Sequence, residues 1–308
     1  EHTRVGRLWI GAVLLAGATS LPELGTDVAA ARMDAVDLAV GDLFGSSMAN
    51  MLVLALIDLL PPRRQVLRKA TYDHALAAGL AIALNALAAA FLLAPSGLVI
   101  AGVAPECWVL LGLYLIGTRA VYRQAMSDFG PGRPAIQPRA IPPDEVAPLP
   151  LRRAVAGFAI AALVTLTVAP AFAHSAKQVA ELTGLGQTFM GTWLVGLSTS
   201  LPELVASIAA VRLGAFDLAV GNLLGSNSFN VVLLIFVDLA LPGASIFVQA
   251  SDTHVLSALF AVVLMALGVA AIVYRAEKRF SMLEPDSALI LLTYVLAIWL
   301  LFLNRVPG

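Results

Sequence analysis

The sequence is poor in cysteine and in charge. Its 308 residues include one cysteine, Cys107, so an internal disulfide is excluded. Charged residues make up 13% of the chain, whereas hydrophobic residues make up 59% and the mean hydropathy is +0.88. Such a composition is far too apolar for a soluble domain. The formal net charge of −1 gives no indication of nucleic-acid binding.

Long apolar runs stand where the charges are missing. A helix that crosses a membrane needs about 20 predominantly apolar residues, and runs of this length recur along the chain. They predict nine transmembrane helices, at about 7–31, 36–60, 71–94, 97–121, 151–173, 185–211, 216–241, 252–274 and 285–304. A membrane β-barrel would instead show segments of about ten residues with alternating polarity, a pattern that the sequence does not have. The expected fold class is an all-α polytopic membrane protein.

One unit of the sequence occurs twice, at a constant offset of 180. Residues 19–50 align without a gap on residues 199–230, and 19 of the 32 positions are identical. The identical positions include Pro, Glu, Asp, Arg, Gly, Ser and Asn, which a chance match between apolar segments would not reproduce. Polar residues inside duplicated apolar segments are typical of transporters with internal repeats.

The two copies are predicted to cross the membrane in opposite directions. The spans that carry the first polar motif, at 7–31 and 185–211, stand five spans apart. Because five is odd, the repeats are inverted about an axis in the membrane plane, and their polar clusters meet near the midplane. Sixteen of the 19 Lys and Arg residues fall on one side, which the positive-inside rule assigns to the cytoplasm. The C-terminus is then outside.

Three parts of the chain follow from this arrangement. Residues 1–123 form the first membrane repeat with its motif at 15–60, and residues 151–308 form the second with its motif at 195–240. Residues 124–150 contain seven prolines and predict a flexible cytoplasmic linker. The first half then has four helices and the second has five. A first helix of a five-plus-five plan is therefore expected to be missing.

Each repeat carries a Pro-Glu pair in the middle of a predicted helix. Pro22 and Pro202 cannot donate the i→i−4 backbone bond, so each helix is predicted to kink or break there and to free a carbonyl group. Such backbone at membrane depth is tolerated only against protein or a water-filled cavity. The adjacent Glu23 and Glu203 would be costly in lipid, and intramembrane carboxylates usually mark ion or proton pathways.

Oxygen-bearing side chains surround both glutamates. Carboxylates, hydroxyls, side-chain amides and freed carbonyls suit Ca²⁺ or Na⁺ and suit Zn²⁺ or Cu⁺ poorly. Two ionised glutamates would neutralise one divalent ion, and protons would compete for the same carboxylates. Four pairs share a helix face at i,i+4 spacing: Thr19 with Glu23, Thr199 with Glu203, Ser46 with Asn50, and Ser226 with Asn230.

Small residues flank the predicted site. The pairs Gly41/Gly45 and Gly221/Gly225 would let helices approach closely beside it. In a single copy, the Pro-Glu and Gly-Ser pairs could equally be devices for kinking and packing. Two matching copies in inverted positions favour an ion-binding site.

These residues resemble the sodium/calcium exchanger family, within the cation/calcium exchanger superfamily. The family's two repeats carry a Gly-Thr-Ser-x-Pro-Glu stretch and, on the next helix, a Gly-Asn-x-x-Gly-Ser-x-x-x-Asn/Asp stretch. Residues 19–23 and 41–50 match the first copy, and residues 199–203 and 221–230 match the second. The resemblance implies the inverted-repeat exchanger fold.

The resemblance also implies a set of ligands for the transported ions. Glu23 and Glu203 would be the central carboxylates, which coordinate Ca²⁺ and, alternately, Na⁺. The other implied ligands are Thr19, Thr199, Ser20, Ser200, Ser46, Ser226, Asn50 and Asn230, with Ala16 and Gly196 acting through their backbone carbonyls.

The function implied is secondary active antiport, in which several Na⁺ are exchanged for one Ca²⁺. Two helices would slide against a rigid core, so that one site is exposed to either side in turn. Ca²⁺, Na⁺ and the lipid bilayer are the expected partners, no cofactor is expected, and the protein is expected to be a monomer in the inner (plasma) membrane of a prokaryote. An enzyme is not expected, because neither a His–Glu metal motif nor a nucleophile–base pair accompanies the glutamates.

Alternatives within and outside this fold remain open. The counter-ion could be H⁺ or K⁺, or another divalent ion could replace Ca²⁺. A cation channel or a sensor that has lost transport could use the same scaffold.

The sequence departs from the family pattern at three places. Ala18 and Ser198 stand where the family usually has Gly, and Asn230 stands where many sodium/calcium exchangers have Asp. Asp42 replaces the usual Asn, which its twin Asn222 keeps. Our hypothesis is that Asp42 restores a third acidic group in the ion cavity. The alternative is an acid that is hydrogen-bonded to nearby backbone.

Other polar residues receive simpler interpretations. Asp27 lacks an acidic twin and is expected to face an external vestibule. Asp58 and Asp238, which match across the repeats near helix ends, are expected to be interfacial. The matching His74 and His254 are likewise expected to be interfacial side chains.

Overall fold

The computed structural model describes residues 10–59, 66–69, 74–127, 151–241, 243, 245–274 and 285–305. Within these ranges the secondary structure is helical, apart from an isolated bridge between Ile100 and Val103. Seven of the described helices are long and apolar enough to cross a membrane. The prediction of an all-α membrane protein is therefore confirmed. The other two predicted spans correspond to residues 10–32 and Pro105–Ser127, which are helical but lie outside this set of seven.

Nine labels describe the long helices in chain order. They are α1 (Leu21–Arg32), α2 (Val36–Leu59), α3 (His74–Leu93), α4 (Pro105–Ser127), α5 (Leu151–Thr183), α6 (Leu201–Arg212), α7 (Phe216–Ala240), α8 (His254–Tyr274) and α9 (Pro285–Leu303). Two short helices, Val66–Lys69 and Ile246–Gln249, connect longer ones.

Helices α1 and α6 are the second halves of broken helices. A π-helical segment, Ile10–Leu15, precedes a short α-helical turn, Ala16–Thr19, before α1 begins. The second repeat has the same order, with a π-helical segment at Gly191–Val195 and a short turn at Gly196–Thr199 before α6. Short π-helical segments within α-helices occur frequently at functional sites. The break predicted from each proline is therefore present in both repeats.

Helices α2 and α7 form the buried centre of the molecule. Every residue from 38 to 51 of α2 is buried, and so is every residue from 219 to 228 of α7. A helix that is buried on all sides must satisfy its polar side chains within the protein. Each polar group on these two helices therefore needs a protein partner or a ligand.

Glycines set the spacing between α2 and the broken helix of the second repeat. A Cβ atom placed on Gly45 would overlap the carbonyl oxygen of Thr192, and one on Gly196 would lie 2.7 Å from the backbone nitrogen of Ser46. A Cβ atom on Gly41 would lie 3.0 Å from Cα of Gly191. The close approach predicted for Gly41 and Gly45 is confirmed, because any side chain there would push the two backbones apart.

Helix α5 is longer than the predicted span 151–173. It continues to Thr183 and contains Pro170. A proline does not end a transmembrane helix when neighbouring groups satisfy the backbone carbonyl that it frees. Helix α5 packs against α1, where a Cβ atom on Gly25 would lie 2.9 Å from Cβ of Ala169. Nζ of Lys177 donates a hydrogen bond to the carbonyl of Met33, 2.7 Å away, just past the end of α1.

Helix α4 begins eight residues later than the predicted span 97–121. Gly97, Ala101 and Gly102 have positive φ angles of 68°, 53° and 80°, which are incompatible with a right-handed helix. The helix starts at Pro105, a favourable residue for a first turn. At its other end α4 continues through Ser127, four residues into the predicted linker. Residues 128–150 of that linker lie outside the described residues.

Candidate cation-binding site

The two helix breaks place the glutamates. Ser20 and Ser200 follow the short turns and precede α1 and α6, each of which has a proline in its first two positions. Glu23 and Glu203 therefore lie in the first turns of α1 and α6, where the helix dipole stabilises a negative charge. Both glutamate side chains are fully buried.

Glu203 receives hydroxyl groups from both repeats. Its Oε1 atom accepts hydrogen bonds from Oγ of Ser20 at 3.4 Å and from Oγ of Ser226 at 3.2 Å. Ser20 belongs to the first repeat, so this carboxylate joins the two repeats at the helix breaks. Oε2 of Glu203 is buried and has no hydrogen-bond partner.

Asp42 is the centre of a second cluster. Its Oδ1 atom accepts hydrogen bonds from Oγ1 of Thr199 at 2.7 Å and from Oγ of Ser46 at 3.0 Å. Its other oxygen, Oδ2, is buried and has no hydrogen-bond partner. The side chain of Asp42 thus bonds hydroxyl groups of the predicted ligands rather than the nearby backbone. That arrangement favours the hypothesis of a third acidic group in the cavity over the alternative.

The hydroxyl of Ser46 has changed partners relative to its twin. Ser226 donates to Glu203, so symmetry would have Ser46 donate to Glu23. Ser46 donates instead to Asp42, and neither carboxylate oxygen of Glu23 has a hydrogen-bond partner. A buried carboxylate without donors is costly unless a cation compensates it. Both oxygens of Glu23 are therefore available to a ligand, whereas Glu203 has one such oxygen.

The asparagines of the predicted set lie on the buried faces of α2 and α7. Nδ2 of Asn50 donates to Oδ1 of Asn227 at 2.9 Å, while Oδ1 of Asn50 has no partner. Both polar atoms of the fully buried Asn230 also lack partners. Neither asparagine has a hydrogen bond to the serines, threonines or acids of the two clusters. Their free oxygens remain available to a ligand.

The carbonyls of Ala16 and Gly196 accept backbone hydrogen bonds at the breaks, from the nitrogen of Ser20 at 3.0 Å and from that of Ser200 at 3.3 Å. The carbonyl of Gly196 accepts hydrogen bonds from Oγ of Ser200 at 2.7 Å and from Oγ of Ser46 at 3.3 Å. The carbonyl of Ala16 accepts from Oγ1 of Thr19 at 3.2 Å. Thr19 also donates to Oδ1 of Asn222 at 3.3 Å, the counterpart of the bond from Thr199 to Asp42.

The expectation that Asp27 faces an external vestibule is wrong. Asp27 is fully buried, and its carboxyl group lies next to the carboxyl group of Asp42. Both of its oxygens lack a hydrogen-bond donor. Its spacing from Glu23, i to i+4 on α1, was a signal in the sequence, because such residues share a helix face.

The histidines are buried rather than interfacial, and each one pairs with the other repeat. Nε2 of His74 lies 3.0 Å from Oδ1 of Asp217, and Nε2 of His254 lies 3.0 Å from Oδ1 of Asp37. Both histidine side chains are fully buried, and the aspartates are 33% exposed. Because a carboxylate only accepts, each Nε2 carries the donated hydrogen. These pairs join α3 to α7 and α8 to α2.

Asp58 and Asp238 are also buried, and they bond the starts of neighbouring segments. Oδ1 of Asp58 accepts from the backbone of Leu67 at 2.9 Å, and Oδ2 accepts from Oγ of Ser287 at 2.7 Å. Oδ1 of Asp238 accepts from the backbone of Ile246 at 2.6 Å. Their role in the structure is to satisfy donors at helix starts.

The buried acids of the site need compensation by a bound cation or by protonation. Glu23, Asp27, Asp42 and Glu203 are all fully buried, and in the described part of the chain none of them forms an ion pair with Lys or Arg. Among those same residues no three His, Cys, Asp or Glu side chains converge closely enough to hold a metal ion by themselves. Hydroxyl, amide and carbonyl oxygens must therefore complete any coordination shell. This donor set suits Na⁺ and Ca²⁺.

Known proteins resemble this chain along most of its length. The profile of the family described as "Sodium/calcium exchanger protein" matches residues 1–122 and 153–303. CaxA of Alkalimonas amylolytica is 27% identical over 312 residues, which cover 98% of this chain and 90% of its own. The inner membrane protein YrbG of Escherichia coli is 29% identical over 238 residues, which cover 74% of this chain and 67% of its own.

A solved structure has the same fold. The sodium-calcium exchanger NCX_Mj, in a crystal soaked with 10 mM Na⁺ and zero Ca²⁺, superimposes with a TM-score of 0.61 at 22% identity. The match covers 97% of this chain and 88% of that one. The inverted-repeat exchanger fold expected from the sequence is thereby confirmed. Because the family profile covers nearly all of both repeats, the chain belongs to the sodium/calcium exchanger protein family and is a cation antiporter of the membrane.

Proposed function

We propose that this protein exchanges Na⁺ for Ca²⁺ and that the two ions compete for one site between the helix breaks. The observation that carries the proposal is the burial of Glu23 and Glu203 in the first turns of inverted half-helices, each with at least one oxygen that lacks a partner. Two ionised glutamates neutralise one Ca²⁺, and the same oxygens can hold Na⁺ when Ca²⁺ has left.

The ligands of this site come from both repeats. Glu23 and Glu203 supply the carboxylates, and the hydroxyl groups of Ser20 and Ser226 lie against Glu203. The remaining proposed ligands are Thr19, Thr199, Ser46, Ser200, Asn50, Asn230 and Asp42, with the carbonyls of Ala16 and Gly196. The transported ions are the ligands that this proposed function requires.

Alternating access fits the way in which the site is built. Helices α2 and α7 form a buried centre, while the broken helices before α1 and α6 lie against it. At Gly45 and Gly196 the backbones of α2 and of the broken helix of the second repeat lie in direct contact. No side chain lies between them to obstruct the sliding of one helix along the other. A shift of the broken helices along α2 and α7 would expose the carboxylates to one side of the membrane and then to the other.

We place the protein in the inner membrane of a prokaryotic cell, with its basic loops and the 124–150 linker in the cytoplasm. The bias of 16 to 3 in Lys and Arg supports this orientation. The relative from Escherichia coli is named an inner membrane protein, which supports the location.

The test is uptake of ⁴⁵Ca²⁺ into proteoliposomes that contain Na⁺, with and without an outward Na⁺ gradient. Wild-type protein should take up Ca²⁺ only with the gradient, and Glu203→Gln should abolish the uptake because it removes a central carboxylate. Glu181→Gln is the matched control, because it makes the same change at an exposed glutamate near the end of α5 and should leave uptake unchanged. Uptake that is driven by an H⁺ or K⁺ gradient and not by Na⁺ would overturn the proposed counter-ion.

A further inference from the structure

Asp27 and Asp42 form a contact between two acids in the interior of the first repeat. Asp27 lies on α1 and Asp42 on α2, and their carboxyl groups lie next to each other. Both residues are fully buried. Three of their four oxygens lack a hydrogen-bond donor, and the fourth, Oδ1 of Asp42, accepts from Thr199 and Ser46.

The second repeat shows the same contact with neutral residues. At the offset of 180, Asp27 corresponds to Ser207 and Asp42 corresponds to Asn222. Nδ2 of Asn222 donates to Oγ of Ser207 at 3.4 Å, and both residues are fully buried. This pair is complementary, because an amide donates and a hydroxyl accepts. The second repeat therefore needs no ligand at this position.

The acidic pair cannot satisfy itself in the same way. Two carboxylates have acceptors and no donors, and buried charges are strongly unfavourable unless they are paired or coordinate a metal. In the part of the chain that the structure describes, no Lys or Arg forms an ion pair with either acid. Oxygen atoms without donors therefore converge on a place where a positive ion would be stabilised.

We propose that Asp27 and Asp42 hold a second cation, Na⁺, at a site that adjoins the one formed by Glu23 and Glu203. The inference rests on the proposed exchange function. It adds Asp27, which has no acidic twin, to the proposed ligands, and the two adjoining sites share Asp42. One Ca²⁺ neutralises Glu23 and Glu203 but not Asp27 and Asp42, so the second pair of acids needs a cation of its own. Ca²⁺ takes about six to eight oxygen ligands, whereas the side chains bonded to this pair are the hydroxyls of Thr199 and Ser46. A small donor set of this kind fits Na⁺ better.

The site distinguishes the two repeats functionally. The acidic pair is present in the first repeat and absent from the second. The first repeat should therefore bind one cation more than the second, although their ion-binding motifs match. The number of Na⁺ ions bound per chain should therefore exceed by one the number held by the twin motifs alone.

The experiment counts Na⁺ bound to the purified full-length chain. Equilibrium binding of ²²Na⁺ at saturating concentration, without Ca²⁺, is measured for the wild type, Asp27→Ser and Asp27→Asn. Asp27→Ser introduces the residue of the second repeat, and Asp27→Asn keeps the size of the side chain. Both variants should bind one Na⁺ fewer per chain. Ser207→Ala, which removes only the twin hydroxyl, should bind as many as the wild type.

The possible outcomes separate this site from the proposed function. An Na⁺ count that stays the same in both Asp27 variants would overturn the site. If the Na⁺ count is unchanged and the Asp27 variants release one proton fewer than the wild type on Ca²⁺ binding, the acidic pair binds H⁺. That outcome would also overturn the proposed Na⁺ site. If wild-type protein binds the extra Na⁺ but Na⁺ gradients drive no Ca²⁺ uptake, the exchange function fails and the site stands. Should Asp27→Ser fail to fold, Asp27→Asn gives the count.

Discussion

The hydroxyl of Thr199 lies 2.7 Å from Oδ1 of Asp42, so the helix break of the second repeat is bonded to the central helix of the first. The twin bond, from Thr19 to Oδ1 of Asn222, is longer at 3.3 Å and ends on a neutral amide. Hydrogen bonds to charged groups stabilise folded proteins more than neutral ones do, by about 1.5–3 against about 0.5–1.5 kcal/mol. The two repeats are therefore joined with unequal strength.

Replacing each threonine by valine tests this inequality. Valine keeps the branched shape and removes the hydroxyl, so Thr199→Val should lower the free energy of unfolding by about 1.5–3 kcal/mol, because Asp42 loses its shortest donor. Thr19→Val, the matched control, should lower it by about 0.5–1.5 kcal/mol. The measurement is unfolding of the purified protein without Ca²⁺ or Na⁺. Equal losses would show that the charge of Asp42 is compensated in another way.

The contact of Gly45 with Thr192 should not tolerate a side chain. In Gly45→Ala the new methyl group would overlap the carbonyl oxygen of Thr192, so α2 and the π-helical segment must separate. Overpacking of this kind typically destabilises by about 1–3 kcal/mol, occasionally more. The yield of folded protein and its thermal unfolding temperature should both fall.

Gly79→Ala is the control for that variant. Gly79 is a helical glycine on α3, and a methyl group added to it would have nothing within 4 Å. The substitution should stabilise by up to about 1 kcal/mol through helix propensity alone. Wild-type stability in Gly45→Ala would contradict the close approach of α2 to the second repeat.

The two histidine–aspartate pairs should contribute to stability independently. His74→Phe and His254→Phe keep a ring and remove the donor to Asp217 or Asp37, and each should lower the free energy of unfolding by about 1–3 kcal/mol. The pairs share no residue, so the losses should add in the double variant to within about 0.5 kcal/mol. Denaturant unfolding of the two single variants and the double variant checks this. A double variant no less stable than a single one would show that the pairs act as one unit.

Lys177 should hold the end of α1. Its ammonium group donates to the carbonyl of Met33, where a positive charge is favoured at a helix C-terminus. In Lys177→Met the amides at the end of α1, around residues 29–33, should exchange hydrogen faster, while those of α2 should not change. Lys177→Arg, which keeps a donor and the charge, is the control. Unchanged exchange at the end of α1 in Lys177→Met would contradict this role.

The duplicated motif predicted much of the site. The 180-residue offset identified twin positions, the prolines predicted the helix breaks at Ser20 and Ser200, and the Pro-Glu pairs predicted two buried carboxylates. These features depend on residues close together in the chain. Proline chemistry and i,i+4 spacing act within one helix, so they can be read from sequence.

Contacts between helices could not be predicted in the same way. Nothing in the offset shows that Ser20 bonds Glu203, that Asn50 bonds Asn227, or that Asp27 faces Asp42. Such contacts depend on how helices rotate and cross when they pack. The start of α4 was missed for a local reason, because positive φ angles at Gly97 and Gly102 interrupt an apolar stretch that composition alone assigns to a membrane span.

The crossed pairing of His74 with Asp217 and of His254 with Asp37 has a consequence for how the chain is assembled. Each half carries a buried histidine whose carboxylate lies in the other half, so a newly made first half cannot complete its interior until the second has entered the membrane. A protein made of one repeat could have satisfied its histidine and its aspartate by pairing with an identical copy in the opposite orientation. The same two contacts would then have served as the symmetric interface of an ancestral dimer, before duplication joined the copies in one chain.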